Sequence, residues 1–371
     1  MLLTILVFII ILSVLVLVHE LGHFLVAKKL GIKVEEFGFG FPPRVFAKKI
    51  GETLYSINLL PIGGFVKLYG EDEAGGGSMK VKGQGLKIKD KDLNRAFFAR
   101  PVWQRALVVV AGVLMNFLLA VIIISYLYTA QGVPSLGDKV IVTQVVKNSP
   151  ASLAGLRNGD VILEINNKKV SSTVYLIEET KKYLGKQIVL EIKRGSKDLK
   201  IIVTPRVESP TGEGPMGVAI SQSVTVKKYP WYKAPFIGTY EVAKSSILIL
   251  SGLSDVVKNL ILQKTVPQGV AGPVGIAQLT GEFVESGYLA LLSFTALLSL
   301  NLAVLNILPI PALDGGRLFF IMIEAVTRRK VNPRFEAYAH AIGIAVLLAL
   351  IAIITLHDFI RIFQGKPILP Q

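Results

Sequence analysis

The chain of 371 residues contains no cysteine, so it forms no disulfide. Acidic residues are also few, 26 against 41 Lys and Arg, which gives a net charge of +15. The basic stretches lack the interleaved aromatic residues expected for nucleic-acid binding, and there is no internal repeat and no phosphate-binding loop. We therefore expect no nucleic-acid partner, and membrane lipids with acidic head groups are the expected partners of the basic side chains.

Long apolar runs are what this sequence has in excess. Hydrophobic residues make up 51% of the chain, and the mean hydropathy is +0.55. A helix that spans a membrane needs about 20 mostly apolar residues. Four stretches approach this requirement: 2–27, 102–128, 288–308 continuing to 326, and 338–360. The first run lacks the basic start and the cleavage site of a signal peptide, so we expect it to be a retained helix.

The basic residues flank these apolar runs and predict an orientation. Lys and Arg crowd residues 28–105 and 327–334. Short flanking loops that are rich in Lys and Arg stay in the cytoplasm, which places 28–101 inside and 129–287 outside. The outer segment is basic too, but long domains cross the membrane largely regardless of charge. The expected fold is a polytopic α-helical membrane protein with about four transmembrane helices.

The first apolar run contains the stretch VHELGHFLVA, residues 18–27. His19, Glu20 and His23 fit H-E-x-x-H, and a helical spacing of four places both imidazoles on one face. Neutral imidazole binds zinc, and a catalytic zinc site takes three protein ligands and a water molecule. Glu20 is suited to take a proton from that water. Two histidines satisfied by packing are the alternative. Since ionisable groups inside an apolar span are costly unless compensated, we favour a metal site.

A third ligand is expected from NLAVLNILPIPALDGGRLFF, residues 301–320. Here an apolar helix is interrupted by two prolines and two glycines between residues 309 and 316, next to Asp314. Irregular backbone at membrane depth is tolerated where it is buried in protein or lines a wet cavity, so the break can aim a carboxylate into the bundle. A proline kink in which Asp314 caps the next helix is the alternative. His340 and His357 lie near the ends of the last span, and we interpret them as satisfied polar groups.

These two motifs, H-E-x-x-H in the first span and N-x-x-P-x-P-x-L-D-G in the third, resemble the site-2 protease family of intramembrane zinc metalloproteases. The closest resemblance is to its bacterial regulator-of-sigma-E-protease type. RPVWQRALVVVAGVLMNFLLA (100–120) resembles the second helix of this family, although Val113 stands where many members carry proline. The resemblance implies Zn²⁺ as the cofactor and Glu20 as the catalytic base. The zinc ligands that it implies are His19, His23 and Asp314.

The resemblance also implies a function. The chain is expected to be a zinc-dependent intramembrane endopeptidase that cleaves transmembrane segments of single-pass membrane proteins, such as an anti-sigma factor or remnant signal peptides. Asn301 and Asn306 would help to hold the substrate backbone near the metal. The expected location is the bacterial inner (cytoplasmic) membrane, with the active site toward the cytoplasm.

GFGFPP (38–43) and INLLPIGGFVKLYGED (57–72) resemble the membrane-reentrant β-hairpin of the family, at about 36–70. The segment after it, 71–92, is expected to be a flexible solvated loop without chemistry.

The hairpin can also be predicted from its residues. β-forming residues cluster at 54–58 and 65–69, and turn-prone residues lie between them: Pro61, Gly63 and Gly64. An open strand edge could take up an unwound substrate by strand addition. The substrate-binding residues that we predict there are Gly64, Phe65 and Val66. A plain amphipathic hairpin on the inner leaflet is the alternative.

The outer segment is expected to contain an inserted extracytoplasmic α+β domain at 130–222. Strands are predicted at 140–146, 187–193 and 199–204, and a helix at 172–184. NSPASLAGLRNGDVILEINNKKV (148–170), with a short helix before Gly155 and a turn at Gly159-Asp160, resembles a circularly permuted PDZ domain. Its peptide groove would be lined within GPMGVAI (214–220) by Met216, Gly217 and Val218.

Only one such domain fits, whereas the best-known Gram-negative members carry two. This domain is expected to bind a peptide ligand, and a PDZ fold that serves as a spacer or steric gate is the alternative.

After the PDZ domain, residues 231–264 have the apolar spacing of an amphipathic helix on the outer leaflet. GVAGPVGIAQLTGEF (269–283) resembles a family stretch that precedes the third helix. The expected segments are a first transmembrane helix (1–28), a cytoplasmic-side region with the hairpin (29–100), a second transmembrane helix (101–129), the PDZ domain (130–222), an amphipathic membrane-surface region (223–286), a third, broken transmembrane helix (287–326) and a fourth transmembrane helix (338–363).

A second function class is a non-catalytic membrane scaffold that binds partners through its PDZ domain. Degenerate relatives of proteases would be expected to lose Glu20 or a metal ligand. All four groups are present in this sequence, which favours the protease.

Overall fold

A computed structural model describes residues 2–71, 90–210, 212–262 and 270–364. The chain divides into two compact units, residues 1–130 with 230–371, and residues 131–229. Most of the segment 71–92 and residues 263–269 lie outside the described residues, so the predictions made for them are not examined further.

The elements follow one another in a simple order. The α-helices are α1 (Leu2–Lys29), α2 (Val102–Ala130), α3 (Pro150–Leu153), α4 (Thr173–Lys181), α5 (Ala234–Leu262), α6 (Pro273–Glu285), α7 (Tyr288–Ile307), α8 (Asp314–Thr327) and α9 (Pro333–Phe363). The strands are β1 (Val34–Ile50), β2 (Thr53–Leu68), β3 (Val133–Val145), β4 (Val161–Ile165), β5 (Lys168–Lys169), β6 (Ile188–Arg194), β7 (Lys197–Val203) and β8 (Val218–Lys227).

Four helices in the described part of the chain are long and apolar enough to cross a membrane: α1, α2, α7 and α9. The four predicted spans are therefore found as helices of sufficient length. The third apolar run is broken as expected, because α7 ends at Ile307 and α8 begins at Asp314. α1 ends on Lys28 and Lys29, where the apolar character of the sequence also ends.

Small residues bring the helices of the first unit close together. A Cβ atom on Gly22 of α1 would lie 2.7 Å from the carbonyl carbon of Ala111 in α2, so only glycine permits this crossing. Further along α2, Val121 packs in one buried cluster with Val242 of α5 and Leu300 of α7. The helix predicted within 231–264 is thus α5, and one side of it is covered by α2 and α7.

An antiparallel strand pair spans 34–68, close to the predicted hairpin range of about 36–70, but its turn differs from the one predicted. β1 and β2 pair antiparallel, and the connection between them is at Gly51 and Glu52, because Ile50 pairs with Thr53. Phe37 of β1 pairs with both Tyr55 and Val66, so the first half of β1 lies between the two halves of β2.

The interpretation of 54–58 and 65–69 as strands on either side of a hairpin turn is therefore wrong, since 54–58 and 65–68 both belong to β2. The physical reason is the short connection at Gly51, whose positive φ of 63° suits a tight turn. The glycines at 63 and 64 instead let β2 bend around β1.

The second unit is built on an antiparallel sheet in the order β7-β6-β4-β3-β8, with β5 paired to β4. β3, β6, β7 and α4 coincide with the predicted strands and helix to within a few residues, apart from an earlier start of β3. Gly155 and Gly159 both have positive φ, of 87° and 89°, as expected for the predicted punctuation of this stretch. The core of the unit is one buried apolar cluster that includes Leu176, Ile188 and Met216.

Candidate active site

The two histidines of H-E-x-x-H face the same side of α1 and are both buried. The Nε2 atoms of His19 and His23 lie 3.1 Å apart, and the two residues are 6% and 8% exposed. Since a helix repeats every 3.6 residues, the spacing of four places the rings one turn apart. The local sequence alone thus creates two of the three ligand positions.

The break between α7 and α8 brings the third ligand to them. Oδ2 of Asp314 lies 2.8 Å from Nε2 of His19 and 3.2 Å from Nε2 of His23. Asp314 opens α8, two residues after Ala312, which has a φ of 86°. The Ala312 N–H donates to Nδ1 of His340 at 2.9 Å. The interpretation of His340 as a satisfied polar group thus holds for its Nδ1 only, because its Nε2, like Nδ1 of His357, is buried without a hydrogen-bond partner among the described residues.

The glycines after Asp314 are required by close backbone approach. A Cβ atom on Gly315 would lie 2.5 Å from the carbonyl carbon of Ile307, and one on Gly316 would lie 2.9 Å from that of Ile310. α8 can therefore fold back against the end of α7, and this turn directs the carboxylate toward α1.

The three ligand atoms have the chemistry and spacing of a zinc site. His19, His23 and Asp314 each offer one ligand atom, and these atoms lie within 4.8 Å of one another. Zinc bonds of about 2.0–2.1 Å in a tetrahedron place ligand atoms about 3.3 Å apart, close to the separations of 2.8, 3.1 and 3.2 Å. Two imidazole nitrogens and a carboxylate oxygen that face one another in a buried site need a shared proton or a cation. The residues fit zinc.

A glycine of α2 leaves the space for this site. A Cβ atom on Gly112 would lie 2.6 Å from Cε1 of His23 and 2.8 Å from Nε2 of His19. A side chain at this position would therefore meet the ligand atoms themselves. Sequence reasoning missed Gly112, because a glycine in an apolar helix has several structural explanations.

Glu20 lies beside the ligands and is bonded to the hairpin. Its Oε2 accepts a hydrogen bond of 3.0 Å from the backbone N–H of Val66. A cavity of about 170 Å³ is lined by both sets of residues, among them Glu20, His23, Phe65, Val66, Asp314 and Arg317. Phe65 and Val66, two of the three strand residues predicted from the sequence, thus share one cavity with the predicted base and two of the predicted ligands, whereas Gly64 is not among its lining residues.

A second carboxylate occupies the strand edge. Oε2 of Glu71 accepts a hydrogen bond of 3.3 Å from the N–H of Leu68, and Oε1 of Glu71 pairs with Nη1 of Arg317 at 2.6 Å. Glu71 and Arg317 both line the cavity. Neither was predicted as a site residue, although Arg317 follows the predicted ligand Asp314 by three residues and therefore lies near it on α8.

Two groups of α2 contact the Nδ1 atoms of the two histidines, here called their outer nitrogens. Nδ1 of His23 is 2.7 Å from the carbonyl oxygen of Val108, and Nδ1 of His19 is 3.3 Å from Nδ2 of Asn116. Asn116 was also missed, although an amide in the middle of the apolar run of α2 is a signal that the sequence does contain.

The remaining predicted residues lie elsewhere. Within the described residues, Asn301 and Asn306 of α7 are half-buried and do not line the cavity around Glu20. In the second unit, Met216 is buried in the core, Gly217 has a φ of 72°, and Val218 begins β8. The roles assigned to these five residues stay predictions.

Comparison with known proteins identifies the family. The pattern of peptidase family M50 matches residues 7–350. The chain belongs to peptidase family M50. This M50 chain is 33% identical to the regulator of sigma-W protease RasP of Bacillus subtilis, an alignment that covers 97% of this chain and 99% of that protein. It is 31% identical to the zinc metalloprotease RasP of Geobacillus kaustophilus, with 96% and 97% covered.

Among solved structures, a PDZ domain from Listeria monocytogenes is 25% identical and covers 24% of this M50 chain and 93% of that chain. The TM-score of this match is 0.21.

The family and these relatives confirm the main predictions. The chain is a protease of the site-2 type, and its cofactor is Zn²⁺. The convergence of His19, His23 and Asp314 gives this M50 protease a set of residues that fits the metal.

Proposed function

We propose that this protein cleaves the transmembrane segments of single-pass membrane proteins, with zinc held by His19, His23 and Asp314 and with Glu20 as the base. The observation that supports this proposal is the convergence of these four side chains: three of them lie on α1, a helix apolar enough to span a membrane, and Asp314 reaches them from the start of α8. A soluble substrate would not require a site in such surroundings.

The residues of the site divide the chemistry of peptide hydrolysis. Zinc, when bound, supplies a Lewis acid that polarises the scissile carbonyl and the attacking water. Glu20 accepts a proton from this water while the water oxygen bonds to the carbonyl carbon. When the C–N bond breaks, Glu20 passes the proton to the leaving amine. Before substrate binds, the Val66 N–H donates to Oε2 of Glu20 and so holds the carboxylate beside the candidate ligands.

We propose strand addition at residues 64–68 as the mode of substrate binding. A helical substrate hides its carbonyl groups in its own hydrogen bonds, and a strand edge can receive it only after it unwinds. Before substrate binds, the N–H of Val66 donates to Glu20 and the N–H of Leu68 donates to Glu71. The substrate carbonyls would therefore replace one or both carboxylates as acceptors, so that substrate binding and the position of Glu20 are coupled.

The distribution of charge supports a proposed orientation in the membrane, and the name of one relative supports a class of substrate. Lys and Arg flank the ends of the apolar runs, which supports an active site toward the cytoplasm and residues 131–229 outside. One relative is named a regulator of sigma-W protease, which supports a regulatory membrane protein, such as an anti-sigma factor, as the substrate. Residues 131–229 would act as a PDZ domain that binds peptide or limits access.

Glu20→Gln tests this function. The amide keeps the shape of the side chain but cannot accept the proton, so cleavage of a membrane substrate should fall at least 100-fold, in line with about 10²–10⁴ for general-base catalysis. Zinc content and co-isolation with the substrate should change little, because neither needs proton transfer. The matched control is Glu178→Gln, the same change at an exposed position of α4.

Near-normal cleavage by Glu20→Gln would contradict the metalloprotease mechanism. Loss of zinc would instead make Glu20 a ligand. Substrate capture without any zinc or cleavage in the wild-type protein would favour the non-catalytic scaffold.

A further inference from the structure

A buried amide of α2 lies behind the first zinc ligand. Asn116 is 0% exposed, and its Nδ2 lies 3.3 Å from Nδ1 of His19. Oδ1 of the same amide has no hydrogen-bond partner among the described residues. A buried carbonyl oxygen without a donor is costly, so this atom requires an explanation.

The two nitrogens of His19 explain the orphan oxygen. As described, Nε2 lies 2.8 Å from Oδ2 of Asp314, which suits a proton on Nε2 and an Nδ1 that accepts from the Asn116 amide. When Nε2 ligates zinc it carries no proton, so the proton of the neutral ring must be on Nδ1. Nδ1 then needs an acceptor, and the amide of Asn116 supplies one if it rotates by half a turn about its χ2 bond.

We infer that Asn116 is a positioning residue for zinc binding: its Oδ1 accepts the Nδ1–H of His19 and so fixes the ring with Nε2 toward the metal. Oxygen and nitrogen of an amide occupy nearly the same volume, so the rotation needs no rearrangement of the packing. The inference rests on the zinc ligation proposed above. It adds a residue of the neighbouring helix that acts through His19 and touches neither metal nor substrate.

The spacing on α2 supports this role. The Val108 carbonyl, Gly112 and Asn116 follow one another at intervals of four, so they lie on one face of α2. The Val108 carbonyl accepts from Nδ1 of His23, and Gly112 leaves room for both rings. Asn116 completes the face by meeting His19. Each ligand histidine thus has an acceptor for its outer nitrogen, as is usual for zinc-bound imidazole.

Two substitutions at one position test the inference in the full-length, detergent-solubilised protein. Asn116→Leu has a similar size but neither donates nor accepts. Asn116→Asp accepts but does not donate when ionised. Ser299→Ala is the control, because the Ser299 hydroxyl donates to the backbone oxygen of Asn116 at 2.8 Å and leaves its side chain untouched.

The measurement is zinc affinity by competition with a chelator, with no substrate present. Loss of such a partner typically weakens metal binding 10–100-fold, and we expect this for Asn116→Leu. Asn116→Asp should bind zinc within about threefold of wild type or more tightly, and Ser299→Ala should match wild type. In ¹⁵N-histidine spectra of the zinc-loaded protein, which has four histidines, Asn116→Leu should shift the Nδ1–H signal of His19.

Each other outcome overturns the inference. Wild-type affinity in Asn116→Leu would show that His19 needs no acceptor there. Equal losses of zinc affinity in Asn116→Leu and Asn116→Asp would show that Asn116 acts by packing or by donation. An unfolded Asn116→Asp protein, beside an Asn116→Leu protein that folds and binds zinc, would also exclude the acceptor role. A wild-type protein that binds no zinc would refute the ligand assignment itself, a result distinct from the others.

Discussion

Gly112→Ala should destroy the zinc site by adding a single methyl group. The new Cβ atom would lie 2.6 Å from Cε1 of His23 and 2.8 Å from Nε2 of His19. Unstrained contacts between such atoms are about 3.5 Å or longer, so the His23 ring must move by about 0.9 Å and the His19 ring by about 0.7 Å. Zinc-ligand distances tolerate about 0.2 Å. The displacement is therefore several times larger than the site can accept.

The expected effect on binding and activity is large. A lost outer partner of a ligand costs 10–100-fold in metal affinity, and displacement of two ligands should cost more than about 100-fold. Cleavage should fall by at least the ~10²-fold that a 1 Å misplacement costs. The extra methyl group should also destabilise the fold by about 1–3 kcal/mol, because α1 and α2 pack closely here.

Gly252→Ala is the matched control. Gly252 is also helical, but it is exposed and nothing lies within 4 Å of its ideal Cβ position. This variant should keep its zinc, and thermal unfolding should show equal or slightly higher stability, since alanine favours a helix by about 1 kcal/mol over glycine. The assay is zinc bound per chain after dialysis against a chelator. If Gly112→Ala retained wild-type zinc and cleavage, the close packing of α2 on the ligands would be refuted.

Two further predictions concern the strand edge and the second unit. Val66→Pro removes a backbone donor worth about 0.5–1.5 kcal/mol, so the rate of cleavage of a helical substrate, divided by that of an unfolded peptide, should fall about two- to tenfold while zinc is retained. A change in the position of Glu20 would affect both rates and therefore cancels in this ratio. An unchanged ratio would refute strand addition. In the second unit, burial would raise the pKa of Asp160, but hydrogen bonds from Arg194 and from the Arg157 N–H outweigh it and hold this pKa below its usual value. The ionised carboxylate therefore stabilises the fold above about pH 4, and the stabilisation is lost as the pH falls through the lowered pKa. Asp160→Asn should cost about 1–3 kcal/mol at pH 7 and less at pH 3, as measured by thermal unfolding; an equal cost at both pH values would contradict this account.

The sequence by itself determined the four long apolar helices, the two neighbouring histidines of the candidate metal site on α1 and the break before Asp314. These features depend on residues that are neighbours along the chain. A spacing of four places His19 and His23 together on any helix, and prolines interrupt an apolar run wherever they occur. The second unit was predictable for the same reason, because its strands and turns are local patterns.

Only the tertiary structure decided which strands pair and which residues surround the ligands. The two halves of β2 look like a hairpin because turn-prone residues lie between them, yet each pairs with β1. Gly112 and Asn116 gain their roles from contacts with histidines about ninety residues earlier, 97 in the case of Asn116 and His19. Such contacts depend on how α1 and α2 cross, and no periodicity within either helix specifies that crossing.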